Sequence, residues 1–168
     1  MTPAALGRLL GGITRIEKLI ASATFLIMVV ALLADVIGRE VFGQGVFGSV
    51  RVAVYALIVC AMAGFGIATA SGAHLRPRFL DAAATGRLEQ LAVRAGHLAS
   101  AAILLGLGFA AWTLVGFSRM IEDRDVVLDV LIWPIQCALP FGFALSALRH
   151  VIFGLYPQLA PTDKGPAE

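Results

Sequence analysis

Residues 52–73 have the sequence VAVYALIVCAMAGFGIATASGA, an apolar stretch without an acidic residue, a basic residue or a histidine. A helix crosses the hydrocarbon core of a bilayer with about 20 residues, each rising about 1.5 Å. One charge at the centre of such a helix costs roughly 2.5–3.5 kcal/mol on insertion scales. Since this stretch is long enough and carries no such charge, it predicts a transmembrane helix.

Three more apolar stretches of similar length predict spans at about 19–37, 98–117 and 130–152. Asp35, near the end of the first, is the only charged residue in them before Arg149. Hydrophobic residues make up 59% of the 168 residues and charged residues only 14%, whereas soluble domains carry roughly 25% charged residues. We therefore predict an all-α integral membrane protein, a single domain over residues 1–168 with four transmembrane helices.

The connection between the second and third spans has a helical pattern of its own. Apolar residues recur three and four apart on one side and polar residues occupy the other, with Leu88, Leu91, Ala92 and Ala95 on the first and Arg87, Glu89, Gln90 and Arg94 on the second. This spacing predicts an amphipathic helix within a segment at about 77–95. Because its polar side is basic, we expect it to lie in the headgroup layer on the cytoplasmic side. Residues 157–168 are predicted to form a short disordered C-terminal tail.

The basic residues are distributed unevenly between the two sides of the four spans. If the N-terminus is cytoplasmic, nine of the 13 lysines and arginines lie inside and four lie outside. The inside residues are Arg8, Arg15, Lys18, Arg76, Arg78, Arg87, Arg94, Arg149 and Lys164; the outside residues are Arg39, Arg51, Arg119 and Arg124. Because lysine and arginine accumulate in cytoplasmic loops, this distribution predicts that both termini are cytoplasmic.

Small residues spaced four apart line one side of the second and third spans. Helices in lipid gain little from hydrophobicity, so they associate through close approach at small residues. The two stripes are Gly64, Ala68 and Gly72 on the second span, and Ala102, Gly106 and Ala110 on the third. We expect them to pack against one another or against a partner subunit.

The fourth span contains two prolines, Pro134 near its start and Pro140 further in. A missing N–H is harmless in the first turn of a helix, whereas an internal proline removes a hydrogen bond of the helix. Both prolines are candidate kink positions, and we expect Pro140 to kink the helix around Gly142.

The centres of the four spans lack the ionisable groups that mark functional sites at membrane depth. The histidines His74, His97 and His150 all lie at or beyond the ends of spans, and the two cysteines belong to no CxxC motif or His/Cys cluster. The acidic loop 118–129 does not have the spacing of a calcium loop. We therefore predict no enzyme activity, no cofactor and no metal site, and the net charge of only +2 predicts no nucleic-acid partner.

These absences favour a helper, anchor or scaffold for another protein. The alternative is a stand-alone four-helix membrane protein of one of two kinds. A homo-oligomeric exporter would depend on Glu17 or Asp35, and a redox carrier would bind haem through histidines such as His74.

Four features of the sequence occur in a characteristic order. VIGREVF at 36–42 follows the first span, and GAHLR at 72–76 ends the second. The amphipathic segment and third span come next, and LIWP at 131–134, LPFGF at 139–143 and ALR at 147–149 form the fourth span and its basic exit. Over about residues 15–152 this order resembles the DctQ-like small membrane subunit of tripartite ATP-independent periplasmic (TRAP) transporters. The chain departs from the family at the start of the second span, where Phe47, Gly48 and Arg51 replace a frequent tryptophan and glutamate.

The resemblance implies a non-catalytic subunit of the bacterial inner membrane. It implies a large multispan permease as partner, which carries the substrate and sodium sites and works as an elevator, while the small subunit widens its static scaffold. It further implies a periplasmic solute-binding protein that delivers an organic acid. Candidates for contacts with lipid headgroups or with the partner are Arg39, His74, Arg76, Arg78 and Arg149.

Overall fold

Residues 3–72 and 87–161 are described by a computed structural model, and both stretches are mainly helical. The helices are α1 (Pro3–Phe42), α2 (Ser49–Ser71), α3 (Arg87–Met120), α4 (Trp133–Gln136) and α5 (Ala138–Leu155), followed by a 3-10 turn at Pro157–Leu159. Within these two stretches, four helical segments are long and apolar enough to cross a membrane: Ala5–Phe42, Ser49–Ser71, Leu91–Met120 and Trp133–Leu155. The predicted all-α architecture with four spans is confirmed.

Each span packs mainly on one neighbour or two, in the order α1, α2, α5, α3. The two flanks of the molecule are therefore α1 and α3. Small residues fill the contacts, and the buried ones include Ala53, Ala56 and Ala63 on α2, Ala101 and Ala111 on α3, and Ala147 on α5. Large side chains such as Leu19, Leu26 and Phe109 face outward. This distribution suits helices that associate in lipid, where small residues let backbones approach closely.

The third span begins earlier than the sequence predicted. Residues 87–95 of the predicted amphipathic segment are the first turns of α3, which is continuous from Arg87 to Met120. They are continuous with the third span and do not form a separate helix, while a location among the headgroups stays a prediction. Gly96 lies near the expected boundary, but a glycine costs a helix only about 1 kcal/mol relative to alanine, so the helix continues through it. Residues 77–86 lie outside the described residues, as do residues 162–168 of the predicted tail.

A one-residue turn at Cys137 separates α4 from α5, and the backbone keeps helical dihedral angles through it. Pro134 lies in the first turn of α4, where it removes no hydrogen bond. Pro140 follows four residues after Gln136, so it has no N–H to offer the Gln136 carbonyl and its ring crowds that group. The helical hydrogen bond to the Gln136 carbonyl is therefore missing, and a kink around Gly142 stays a prediction.

The two stripes of small residues do not face one another, because α2 and α3 are not principal neighbours. Gly64 and Ala68 are half-buried on α2, and Gly72 ends that helix with a φ of 70°. The stripe on α3 consists of residues that are all exposed: Ala102, Gly106 and Ala110. A contact between the α3 stripe and a partner subunit stays a prediction.

Candidate functional site

Polar side chains gather at the two ends of the spans. We call one end the terminal end, because α1 begins there and α5 finishes there, and the other the loop end, because it holds connections 43–48 and 121–132. The terminal cluster comprises Thr14, Glu17, Gly66 and Arg149. The loop cluster comprises Asp35, Arg39, Ser49, Arg51, Tyr55 and Asp125.

An ion pair lies at the centre of the terminal cluster. Arg149 and Glu17 are 1% and 5% exposed, and their side chains meet in a two-pronged contact. Nη1 of Arg149 donates to Oε1 of Glu17 over 2.9 Å, and Nη2 donates to Oε2 over 2.5 Å. Nη1 also donates to the Gly66 carbonyl at 2.7 Å, and Nη2 to the Thr14 hydroxyl at 3.3 Å. One guanidinium therefore joins α1, α2 and α5.

Gly66 makes room for this ion pair. A Cβ built on Gly66 would lie 2.7 Å from the carboxyl carbon of Glu17 and 3.0 Å from Nη1 of Arg149. Real Cβ atoms essentially never approach another heavy atom as closely as the first of these distances. Any larger residue at position 66 would therefore push the two charges apart.

The burial of Arg149 corrects its predicted role. The sequence made it a candidate for a headgroup or partner contact, but its guanidinium is enclosed by the chain's own helices. Its partner Glu17 is 132 residues away, so the pattern of a single span carries no sign of the pair. The signal in the sequence was an acidic residue just before one apolar stretch and a basic residue near the end of another.

In the loop cluster, Asp35 holds α1 to the start of α2. It accepts hydrogen bonds from Nε of Arg39 at 2.9 Å and from the hydroxyl of Ser49 at 3.0 Å. Connection 43–48 passes directly over this carboxylate, and a Cβ on Gly45 would overlap it. The Arg39 side chain is 63% exposed, which fits its predicted availability for an external contact.

The second carboxylate of the loop cluster, Asp125, holds connection 121–132 to α2. It accepts hydrogen bonds from the Tyr55 hydroxyl at 2.6 Å and from the backbone N–H groups of Val127 and Leu128, each at 2.8 Å. Nε of Arg51 lies 3.6 Å away. The hydrogen bond from Tyr55, followed by the backbone bond from Leu128, lowers the pKa of Asp125 below its ordinary value.

Asp125 is therefore turned into the protein and not towards solvent. Among the residues that the structure describes, no three acidic, cysteine or histidine side chains are grouped to hold a metal ion. Asp129 pairs instead with Arg124, at 3.4 Å on the surface.

Two histidines meet near the terminal end, on α3 and α5. Nδ1 of His97 lies 3.1 Å from Nδ1 of His150, and the His97 ring contacts Phe153 edge-on. His74, together with Arg76 and Arg78, lies outside the described residues.

The two clusters are separated by about the thickness of a membrane. Glu17 and Asp35 are 18 residues apart on α1 (35 minus 17), which corresponds to about 27 Å of helix, close to the roughly 30 Å of a hydrocarbon core. No charged residue lies between Lys18 and Asp35. Both clusters are therefore placed where a bilayer gives way to its headgroups.

Comparison with known proteins agrees with this architecture. The family model described as "Tripartite ATP-independent periplasmic transporters, DctQ component" matches residues 28–155, from the middle of α1 to the end of α5. The chain is also 26% identical over 153 residues to the ectoine TRAP transporter small permease protein TeaB of Halomonas elongata, covering 89% of this chain and 77% of that protein. The chain belongs to the DctQ family of TRAP transporter small permease subunits and is a multipass protein of the inner membrane.

Proposed function

We propose that this chain is the static scaffold of a TRAP transporter. In this role it holds a large multispan permease in the membrane during sodium-coupled uptake of an organic acid. A periplasmic solute-binding protein delivers the acid to the permease. The single observation that carries the scaffold role is the position of the charged clusters, which tie the helices together at both ends of the spans and leave the middle apolar.

A substrate or sodium pathway needs polar or unwound groups near the bilayer midplane. The central residues of the four spans carry no acidic, basic or histidine side chain. The turn at Cys137 lies towards the loop end of the fourth span, and its backbone is helical and not unwound. We therefore assign transport itself to the partner and mechanical support to this chain.

The flanks of the molecule are the surfaces proposed for the partner. Among the described residues, α1 exposes apolar side chains along most of its length, and α3 exposes the stripe Ala102, Gly106 and Ala110. A second helix can approach closely at such a stripe. Contacts with headgroups or the partner are further proposed for Arg39, His74, Arg76 and Arg78.

We propose that both termini are cytoplasmic, because nine of the 13 basic residues then lie inside. In that orientation the loop cluster lies at the periplasmic surface and the terminal cluster at the cytoplasmic surface. Labelling of single cysteines tests this arrangement. A cysteine at exposed Val126 should react with an impermeant maleimide added to spheroplasts, whereas one at exposed Arg8 should react only after lysis.

The decisive experiment is purification of the tagged chain from its native membrane in mild detergent, followed by mass spectrometry. A stoichiometric large permease is expected. Gly106→Leu should reduce its recovery, whereas Gly116→Leu, at another exposed glycine of α3 that is off the stripe, should not. Equal recovery with both variants would remove the α3 stripe from the interface. Transport of a substrate by the purified chain alone in liposomes would overturn the scaffold role.

A further inference from the structure

The loop end contains a cleft of about 320 Å³ between connection 43–48 and the start of α2. Two arginines, Arg39 and Arg51, line it together with the aliphatic side chains of Val46 and Val50. Both valines are substantially exposed. The cleft therefore combines two positive groups with an apolar wall.

Each of the two arginines pairs with a largely buried acidic residue. Nε of Arg39 contacts Asp35 at 2.9 Å, and Nε of Arg51 lies 3.6 Å from Asp125. Both carboxylates are largely buried and also accept hydrogen bonds from the protein, whereas the arginine side chains are 63% and 48% exposed. The cluster is neutral in sum, but its positive groups are the ones that face outward.

The terminal nitrogens of both guanidiniums are left for a ligand. An arginine has five N–H donors, and its two terminal nitrogens carry four of them. Within residues 3–72 and 87–161, no hydrogen bond joins a terminal nitrogen of Arg39 or Arg51 to another group. Two guanidiniums beside one cleft suit the oxygens of a phosphate, because arginine can bind two phosphate oxygens at once through parallel hydrogen bonds.

We propose that Arg39 and Arg51 form a binding site for the phosphodiester headgroup of a membrane phospholipid. Asp35 places the cleft about 27 Å along α1 from the terminal cluster, where lipid phosphates lie. The valine wall and the exposed rings of Phe42 and Phe47 nearby supply apolar surface for the glycerol and the first methylenes of the acyl chains. A soluble anion gains nothing from that surface, so an amphiphile is the better fit.

The test counts lipids bound to the full chain. The chain is delipidated in detergent, titrated with phosphatidylglycerol and followed by native mass spectrometry. We expect one phospholipid to bind more tightly than the rest, and Arg39→Gln/Arg51→Gln to weaken that binding at least tenfold. Arg51→Gln alone should weaken it severalfold and leave the fold intact, because Asp125 keeps its bonds from Tyr55, Val127 and Leu128.

Arg124→Gln is the matched control. Arg124 also lies at the loop end, is 49% exposed and is paired with an aspartate at 3.4 Å, but it does not line the cleft. If Arg51→Gln and Arg124→Gln bind phosphatidylglycerol with equal affinity, the proposed site is wrong.

Two further probes separate the possible ligands. Diacylglycerol, which lacks the phosphate, should not occupy the site, and millimolar inorganic phosphate should not displace phosphatidylglycerol from it. Displacement by inorganic phosphate would identify a site for free anions and overturn the lipid proposal. None of these measurements involves the large permease, so their failure leaves the proposed scaffold role in place.

Discussion

The terminal cluster and the loop cluster use the same kinds of side chain for opposite purposes. In the terminal cluster, both terminal nitrogens of Arg149 donate hydrogen bonds to Glu17 and to two other groups of the protein, and the side chain is almost fully buried. In the loop cluster, Arg39 and Arg51 contact other described residues through Nε alone, and both side chains line a cleft. Burial thus distinguishes an arginine that fixes helices in place from arginines that can contact something outside the chain.

The largest effect is expected from replacing only one member of the buried ion pair. Arg149→Met leaves the Glu17 carboxylate enclosed without its partner, and removing one member of a buried pair typically costs about 3–5 kcal/mol. The free energy of unfolding in detergent, measured by denaturant titration, should fall by about that amount.

The double variant Glu17→Leu/Arg149→Met is the control for this prediction. Replacing a buried pair by apolar residues is often neutral, so most of the lost stability should return. If the double variant is as unstable as Arg149→Met, the charge of the pair is not what matters at this site.

A smaller effect is expected at the glycine beside the pair. Gly66→Ala adds a Cβ that collides with Glu17 and crowds Arg149, and such overpacking costs about 1–3 kcal/mol. Gly64→Ala, two residues earlier on α2, meets nothing within 4 Å and should leave the free energy of unfolding unchanged or slightly higher. Equal losses in both variants would contradict the role assigned to Gly66.

This pair of glycines also shows how far the sequence predicts the structure. The lengths of the apolar stretches predict the four spans, because each helix must cross the hydrocarbon core and form its own backbone hydrogen bonds there. The spacing of small residues pointed to Gly64, whereas the tightest contact is at Gly66, because a glycine's importance depends on the side chain that reaches it from another helix. Because Glu17 lies on α1, the spacing of residues within α2 gives no information about where its side chain is.

The candidate site was predictable to the same limited degree. The sequence indicated Arg39 from its place after the first span, and the structure leaves it exposed there. Arg51 was not among the predicted contact residues, since its proximity to Arg39 depends on the course of connection 43–48. Arg149 looked similar to Arg39 in sequence, and only the packing of three helices shows that it is enclosed.

In the loop cluster we expect a pH-dependent effect at Asp125. Because the pKa of Asp125 is lowered below its ordinary value of 3.8, the folded protein holds its proton less tightly than the unfolded chain does. The stabilisation is therefore complete above that value and is lost as the pH falls through the pKa of the folded state. Asp125→Asn should lower the Tm at neutral pH, and the difference from the wild type should shrink on acidification.

Tyr55→Phe removes the largest cause of the lowered pKa and should reduce this pH dependence without abolishing it, since the backbone N–H groups of Val127 and Leu128 remain. A difference between wild type and Asp125→Asn that stays constant down to pH 3 would show that Asp125 acts by shape and not by charge.

The smallest effect is expected at the exposed counterpart of the buried pair. Arg124 and Asp129 lie 3.4 Å apart and are 49% and 84% exposed, so water and salt screen their attraction. Asparagine is the informative replacement for Asp129, because this residue has a φ of 52° and asparagine tolerates that conformation, whereas alanine would add backbone strain. Asp129→Asn also keeps the bond from Arg124 to the backbone carbonyl of residue 129. The free energy of unfolding should change by no more than about 0.5 kcal/mol, and this difference from the wild type should shrink as salt is added. If Asp129→Asn lowers the free energy of unfolding nearly as much as Arg149→Met does, burial does not explain the difference between the two ion pairs.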